Sequence, residues 1–316
     1  MRIAAPLLAL ALASCAAEPV RVIFDSDMDS DCDDVGALAL LHALADLGEA
    51  RILATMSSSQ NPDTPRCIDA INTWYGRPDL PIGAPKGKGA GRPSKYAAGI
   101  AKRFPHDLET AGDAAKMYRD LLRDQPDGSV VIVTVGYLTN LADLLRLPDG
   151  PELVRRKVRR WACMGGNFIG KPAHDDVKLT NNNFTVEKAG AHFAIWNWPA
   201  PITFVGREIG SVPSGLKAGA RLKELPEDHP VRLGYQLYFG GEPKDRHVAD
   251  QTAVLFAVRG LHDSWDVETR GAMDLRPDMT FDWRYDRDSK QSYLLKRPGT
   301  DRRIEREIED LMMRRR

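Results

Sequence analysis

Val20-Arg21-Val22-Ile23-Phe24 runs directly into Asp25-Ser26-Asp27-Met28-Asp29-Ser30-Asp31-Cys32-Asp33-Asp34, and from there into Val35-Gly36-Ala37-Leu38-Ala39-Leu40-Leu41-His42-Ala43-Leu44. The first five residues are mostly β-branched or aromatic and read as a strand. From Val35 to Ala50 the chain is Leu/Ala-rich and apolar on most faces, which predicts a helix covered by its neighbours. Between the two, six aspartates fall in ten positions. An acidic loop just past the carboxyl end of a strand stands where open parallel sheets bind their ligands.

The same strand-then-helix alternation continues outward. Residues 51–56, 129–135, 158–164 and 202–205 read as strands, 129–135 (SVVIVTV) as a fully buried one. Residues 64–75, 111–123, 138–147 and 187–196 read as helices. Apolar strands alternating with helices predict an α/β, Rossmann-like fold: an open, mostly parallel sheet with helices on both faces. Residues 81–96, rich in Gly, Pro and Lys, read as a surface loop. Charge-rich 206–250 reads as a small helical insertion, 250–259 as an amphipathic helix, 279–295 as a C-terminal hairpin and 302–313 as a charged closing helix. With no internal repeat or low-complexity linker, residues 18–316 are expected to form one domain.

Composition excludes some functions. The 316 residues hold 44 basic and 44 acidic side chains, so net charge gives no footprint for nucleic acid. Ile3 to Ala13 is uncharged but too short to span a bilayer, and reads as the core of a signal peptide. It ends in Leu12-Ala13-Ser14-Cys15, which resembles a bacterial lipobox, so residues 1–15 are expected to direct export. The product would be periplasmic or anchored to the membrane only through a lipid on Cys15; plain secretion with cleavage near Ala16 or Ala17 is the alternative. Cys32, Cys67 and Cys163 show no metal-binding spacing and read as small buried thiols. Homo-oligomerisation is left open.

So many neighbouring carboxylates raise one another's pKa, and a hard divalent cation removes that cost. An EF-hand loop needs Gly at its sixth position and Glu at its twelfth. Registers starting at Asp25, Asp27 and Asp29 place Ser30 and Gly36, Cys32 and Leu38, or Asp34 and Leu40 there, so all three fail. Val22 to Asp27 also looks like the first motif of haloacid-dehalogenase-like phosphatases, with Asp25 as nucleophile and Asp27 as general acid. That reading leaves Asp33-Asp34 unexplained.

A fuller resemblance is to the nucleoside hydrolase family of the inosine–uridine-preferring type. Asp25 to Leu44 resembles a longer version of that family's acidic loop and following helix. Val133 to Leu145 (VTVGYLTNLADLL) is similar to its Gly-x-Leu-Thr-Asn turn, and Met164 to Asn167 (MGGN) to its Met-Gly-Gly strand end. Asn181 to Ala191 (NNNFTVEKAGA) resembles its Glu-x-Asn block, Ala249 to Val258 its late metal-binding segment, and Gly76 to Gly83 its third strand. These matches come in the family's order and cover residue 20 to the C-terminus.

The resemblance implies Ca²⁺-dependent hydrolysis of the N-glycosidic bond of a ribonucleoside or related riboside, by water held on the metal with an Asp general base. It implies Asp27 as general base and ligand, with Asp34, Asp250 and the backbone carbonyl of Val135 as further ligands. Asp29 is the alternative to Asp27, favoured by the spacing in the shorter family loop. Asp33 would grip ribose hydroxyls, with Asn61, Asn167, Asn181 and Asn183 as further ribose contacts. Asn181 stands where the family has Glu. Ala249 stands where many members carry the His that protonates the leaving base; His247 and, more weakly, His174 are stand-ins. Trp196, Trp198 and Tyr75 read as core. A non-catalytic metal- and sugar-binding protein is the remaining alternative.

Overall fold

The computed structural model describes residues 18–87, 89–168, 182–210 and 215–314. The leader with Cys15, together with Asn181 and His174, lies outside the described residues. In chain order the elements are β1 (Val20–Ser26), α1 (Asp33–Asp46), β2 (Ala50–Ser57), α2 (Asp63–Trp74), β3 (Ile82–Ala84), α3 (Ala97–Arg103), β4 (Gly112–Asp113), α4 (Ala114–Arg123), β5 (Val130–Thr134), α5 (Thr139–Arg146), α6 (Gly150–Lys157) and β6 (Val158–Met164). They continue with α7 (Asn182–Thr185), α8 (Lys188–Asn197), β7 (Ile202–Val205), α9 (Arg207–Gly210), β8 (Lys217–Ala218), α10 (Pro230–Phe239), β9 (Arg246–His247), α11 (Ala249–Arg259), β10 (Trp265–Glu268), β11 (Ala272–Leu275), β12 (Phe281–Arg284), β13 (Gln291–Lys296) and α12 (Asp301–Met312).

Nine strands form one sheet in the order β10-β13-β7-β6-β5-β1-β2-β3-β4. Pairing is parallel except between β10 and β13. The chain runs outward from β1 through β2, β3 and β4, then returns to the other side of β1 and runs outward again through β5, β6 and β7. The strand order therefore reverses between β1 and β5, and their carboxyl ends open the crevice in which such sheets bind ligands.

Alternating side chains cover both faces. Val22 and Phe24 point into the layer of α1, α2, α11 and α12, while Ile23 between them points into the layer of α4, α5 and α8. Val131 and Val133 repeat the first orientation, and Val130 and Ile132 the second. Helix α1 is buried from Asp33 to Leu44, which explains why its sequence is apolar on most faces. Cys32, Cys67 and Cys163 are free and buried.

Several expectations change in detail. The helix expected from Ala111 starts at Ala114, behind the two-residue strand β4. Helix α6 was missed in the sequence. The 206–250 region holds α9 and α10 as expected, and also an antiparallel strand pair, β8 with β9. The C-terminal strands are antiparallel, but 279–295 is not one hairpin: β12 pairs back onto β11, whereas β13 enters the main sheet between β7 and β10. Trp198 and Tyr75 are buried, but Trp196 is 56% exposed, its indole N–H donating to Leu275 O.

Candidate active site

A cavity of about 310 Å³ opens at the carboxyl ends of β1, β5 and β6. Asp27, Ser30, Asp31, Asp33 and Asp34 form its floor from the acidic loop; Val135, Met164 and Asn183 form one wall, and Arg246, His247, Ala249 and Asp250 the other. Helices α1 and α11 both begin here, so the first-turn carboxylates Asp33, Asp34 and Asp250 sit at positive helix ends.

Oxygens of Asp33, Asp34 and Asp250 all lie within 4.8 Å of one another. Burial first, and then the charges of Asp27 and Asp33, push the Asp34 carboxyl well above the ordinary range. Burial followed by Asp33, Asp34 and Asp27 does the same to Asp250. Asp27 is raised by burial and then by Asp29 and Asp33. Among the described residues no ion pair given for the cavity involves Asp27, Asp34 or Asp250; Arg246 and His247 are engaged with Asp31 and Asp33. Three buried hard-oxygen donors, two of them without an ion-pair partner among the described residues, fit a hard divalent cation.

The loop is held by side chains that leave these carboxylates facing inward. Asp34 Oδ1 accepts from Ser26 Oγ at 2.6 Å and from the Met28 amide at 3.3 Å. Met28 itself adopts φ +42° with its side chain fully buried, turning the loop back over the strand end. The Asp29 carboxylate accepts three hydrogen bonds: Ser59 Oγ donates at 2.7 Å, the Tyr137 hydroxyl at 2.9 Å and the Arg92 amide at 2.8 Å. Of the two aspartates left open in the sequence, Asp27 lines the cavity and Asp29 anchors the loop.

The Gly136-Tyr137-Leu138-Thr139-Asn140 turn serves the same frame. A Cβ on Gly136 would lie 2.4 Å from the Asp27 amide nitrogen, so only glycine lets β5 approach the acidic loop this closely. Asn140 Nδ2 donates to Asp25 and, at 2.9 Å, to Ser57 O. Asp25, the nucleophile of the phosphatase reading, is fully buried, accepts from the Tyr118 hydroxyl at 3.0 Å, and does not line the cavity. Burial raises its pKa to about 7 against the hydrogen bonds of Asn140, Tyr118 and Ser58. Asp25 is a buried strut between strands and helices, which removes the phosphatase reading.

Asn183 Nδ2 donates to Val135 O at 2.9 Å and to Met164 O at 3.1 Å, joining the ends of β5 and β6 at the cavity wall. Asn61 is not at this cavity. Its side-chain oxygen accepts from the Asp63 amide at 3.0 Å, closing the turn into α2, and it lines a separate cavity with Arg66 and Lys86. Asn167 is half-buried beyond the Gly165-Gly166 turn and is not among the lining residues.

Arg246 carries no assignment from the sequence, and His247 stands there only as a substitute for the leaving-group acid. Arg246 forms a two-pronged ion pair with Asp31, its Nε donating to Oδ1 at 2.8 Å and its Nη2 to Oδ2. His247 Nε2 lies 3.3 Å from Asp31 and its Nδ1 3.4 Å from Asp33. Burial opposes a charged His247, but Asp33 and Asp31 outweigh it and raise its pKa. Asp31 answers in the other direction: burial works against its anion, and Arg246 and His247 overcome that and lower its pKa. Arg207 also lines the cavity. Ala249 brings only a methyl group.

The chain belongs to the inosine-uridine preferring nucleoside hydrolase family, which matches residues 22–291. Members of this family are N-ribosyl hydrolases, and the protein is an enzyme of that class. In three dimensions it resembles an inosine-uridine preferring nucleoside hydrolase from Bacillus anthracis, with 17% identity and a TM-score of 0.67 over 93% of this chain and 99% of the other. It also resembles a purine-preferring ribonucleoside hydrolase from Gardnerella vaginalis, with 15% identity and a TM-score of 0.71 over 93% and 98%. A type III effector protein, XopQ, complexed with adenosine diphosphate ribose shares the fold at 14% identity, with a TM-score of 0.65 over 93% and 94%. At such identities the likeness extends to the fold, which can carry different ligands. No curated protein sequence matches the chain.

Proposed function

We propose that the protein hydrolyses the N-glycosidic bond of a ribonucleoside or related riboside, with Ca²⁺ as its metal and Asp27 as general base. The observation that carries this reading is the convergence of Asp33, Asp34 and Asp250 within 4.8 Å, Asp34 and Asp250 without an ion pair among the described residues, beside a cavity-facing Asp27. Asp34, Asp250, Asp27 and the carbonyl of Val135 would hold the cation. Val135 O accepts one hydrogen bond, from Asn183, and keeps a lone pair for a second partner. A divalent cation at this place supplies charge neutralisation and acidifies water brought to it.

Asp27 takes a proton from the attacking water while the water oxygen bonds to the anomeric carbon. The carbon–nitrogen bond breaks, and its electron pair leaves with the base. Asp33, held near His247, orients ribose hydroxyls, and Asn183 lines the same cavity. Asn181 is proposed for the 5′ side on the resemblance alone. Turnover of a panel of nucleosides with and without chelator tests the reading: chelator-sensitive release of ribose supports it. Ligand-induced stabilisation without product would instead make the protein a non-catalytic sugar binder.

Export is proposed on the leader sequence alone, with lipid on Cys15 anchoring the protein. Intact mass of the native protein tests it. A mature N-terminus at Ala16 or later without added lipid mass rules lipidation out.

A further inference from the structure

The balance of 44 basic and 44 acidic residues hides an uneven distribution. Carboxylates gather in the loop at the carboxyl end of β1, whereas a group of arginines gathers near its amino end. An open hollow of about 410 Å³ there is lined by Arg259, Arg303, Arg306 and Arg314, with Glu307 and Asp310 among them. Both carboxylates are taken: Glu307 pairs with Arg259 at 2.5 Å and Asp310 with Arg221 at 2.5 Å. Arg303, Arg306 and Arg314 are exposed, and no ion pair given among the described residues involves them.

Helix α12 carries these arginines along one edge. Ile304, Ile308, Leu311 and Met312 form its buried face. On its other edge Glu305 accepts from the Lys217 amide, and Glu309 from the amides of Gly219 and Arg221. Lys217 in turn pairs with the cavity-lining His247 across β8 and β9. The arginine edge therefore faces away from the cavity.

Arg259 fixes where that edge lies. Its Nε and Nη2 reach the two oxygens of Glu49, each at 2.8 Å, and Glu49 O accepts from the Val20 amide at 2.9 Å. Val20 opens β1, whose seven residues run from here to the acidic loop, a length of about 20 Å. Arg160 adds charge on the same side: its guanidinium lies 4.9 Å from the ring of Phe256, one turn before Arg259 on α11. Burial and then the charge of Arg159 lower its pKa, with no carboxylate acting against them.

We infer that this arginine edge docks on an anionic phospholipid surface. Two observations select that partner. Guanidinium groups without carboxylate partners match phosphate oxygens in two-pronged geometry. And Cys15, proposed above to carry lipid, stands five positions before Val20, a reach of at most about 18 Å. A membrane holding that lipid would lie against the arginines, with the cavity a strand length away and open to solute. A lipid chain and a basic patch together make two anchoring signals. The inference goes beyond the hydrolase reading and does not depend on it.

The chain from Ala16, which keeps every described residue and carries no lipid, tests the patch apart from the anchor. It should sediment with phosphatidylcholine vesicles that contain phosphatidylglycerol and stay in solution with phosphatidylcholine alone. Each arginine near an anionic surface contributes about fivefold to partitioning, so Arg306→Gln with Arg314→Gln should weaken binding about 25-fold. Added salt should release the protein, because exposed charges are screened. Arg92→Gln with Lys95→Gln removes the same charge at the cavity end, beside Asp29 and Tyr238, and should leave binding unchanged.

Equal binding to both kinds of vesicle overturns the inference, since attachment would then be apolar. Equal loss in the two double variants overturns it as well, since net charge alone would then decide. Capture of the chain by an oligonucleotide at the same salt, without vesicle binding, assigns the arginines to a different polyanion. None of these outcomes involves nucleoside turnover, which tests the hydrolase reading separately.

Discussion

The Tyr137 hydroxyl donates to Asp29 Oδ2 at 2.9 Å, linking the turn after β5 to the acidic loop across 108 residues. With Ser59 and the Arg92 amide on the same carboxylate, Asp29 already accepts three hydrogen bonds that tie it to the frame of the loop. Asp27, two residues earlier, faces the cavity among like charges. The two aspartates should therefore respond oppositely. Asp27→Asn should lower turnover by about a hundredfold or more, the scale of a lost general base, while leaving the metal-free protein as stable or more so. Asp29→Ala should cost about 2 kcal/mol, because it strands buried donors. Urea unfolding and turnover on the two variants check this. A stable Asp29→Ala with dead chemistry would exchange the roles.

Calcium should stabilise the native state in proportion to its excess over the dissociation constant, by about 2.7 kcal/mol at a hundredfold excess. Asp34→Asn keeps an oxygen for Ser26 and Met28 but removes a negative charge from the cluster. Its metal-free form should melt at or above the wild-type temperature, and calcium should no longer raise it. Thermal melts with chelator and with graded Ca²⁺ measure both effects. Absence of Ca²⁺ binding by the wild type in calorimetry removes the proposed metal.

The sequence revealed the acidic loop because local chemistry announces it: six carboxylates between an apolar strand and an apolar helix have few other uses. It also revealed the parallel sheet, since buried strands are apolar along their whole length. It could not reveal that Arg246 closes on Asp31, because 215 residues separate them and neither has a local signature. Asn61 misled for a related reason: an Asn before a helix serves its own turn as readily as a ligand. The alternation in 279–295 marks strands correctly but says nothing about partners, and β13 found its partner in β7. Helix α6 escaped because Gly150-Pro151 reads as a breaker, although Pro is well placed in a first turn.

Ala249 is buried at the first position of α11 and offers no proton to a departing base. His247 sits nearby, held between Asp31 and Asp33. A positioned general acid contributes about 10²–10⁴-fold, so a site without one should favour leaving groups that depart unprotonated. p-Nitrophenyl riboside should be cleaved much faster than inosine or uridine, with Asp27 required for all three. His247→Ala separates the alternatives. A large loss on inosine with little on the activated riboside would make His247 the acid. Similar wild-type rates on both substrates, with His247 dispensable, would mean that the leaving-group side works differently.

Glu208 is the buried carboxyl whose titration should be visible in stability. Its Oε2 accepts from the Phe168 amide at 3.2 Å, while Oε1 is buried without a partner among the described residues. Burial raises its pKa from 4.5 to about 7, against the amides of Glu208 and Phe168 and the charge of Arg207. The native state therefore holds this proton more tightly than the unfolded chain. Its contribution to stability is complete below pH 4.5 and is lost as pH rises through about 7, where the buried group must carry its charge. Glu208→Gln mimics the protonated form at every pH. Relative to wild type it should be nearly neutral at low pH and stabilising above neutrality, by up to about 3 kcal/mol. Asp25 titrates in the same range but is present in both proteins, so it cancels from the difference. Urea unfolding of the pair at pH 5 and pH 8.5 gives the two differences. A variant equally destabilised at both pH values would mean that Glu208 is ionised in the native state and that its charge, not its neutral form, holds Phe168.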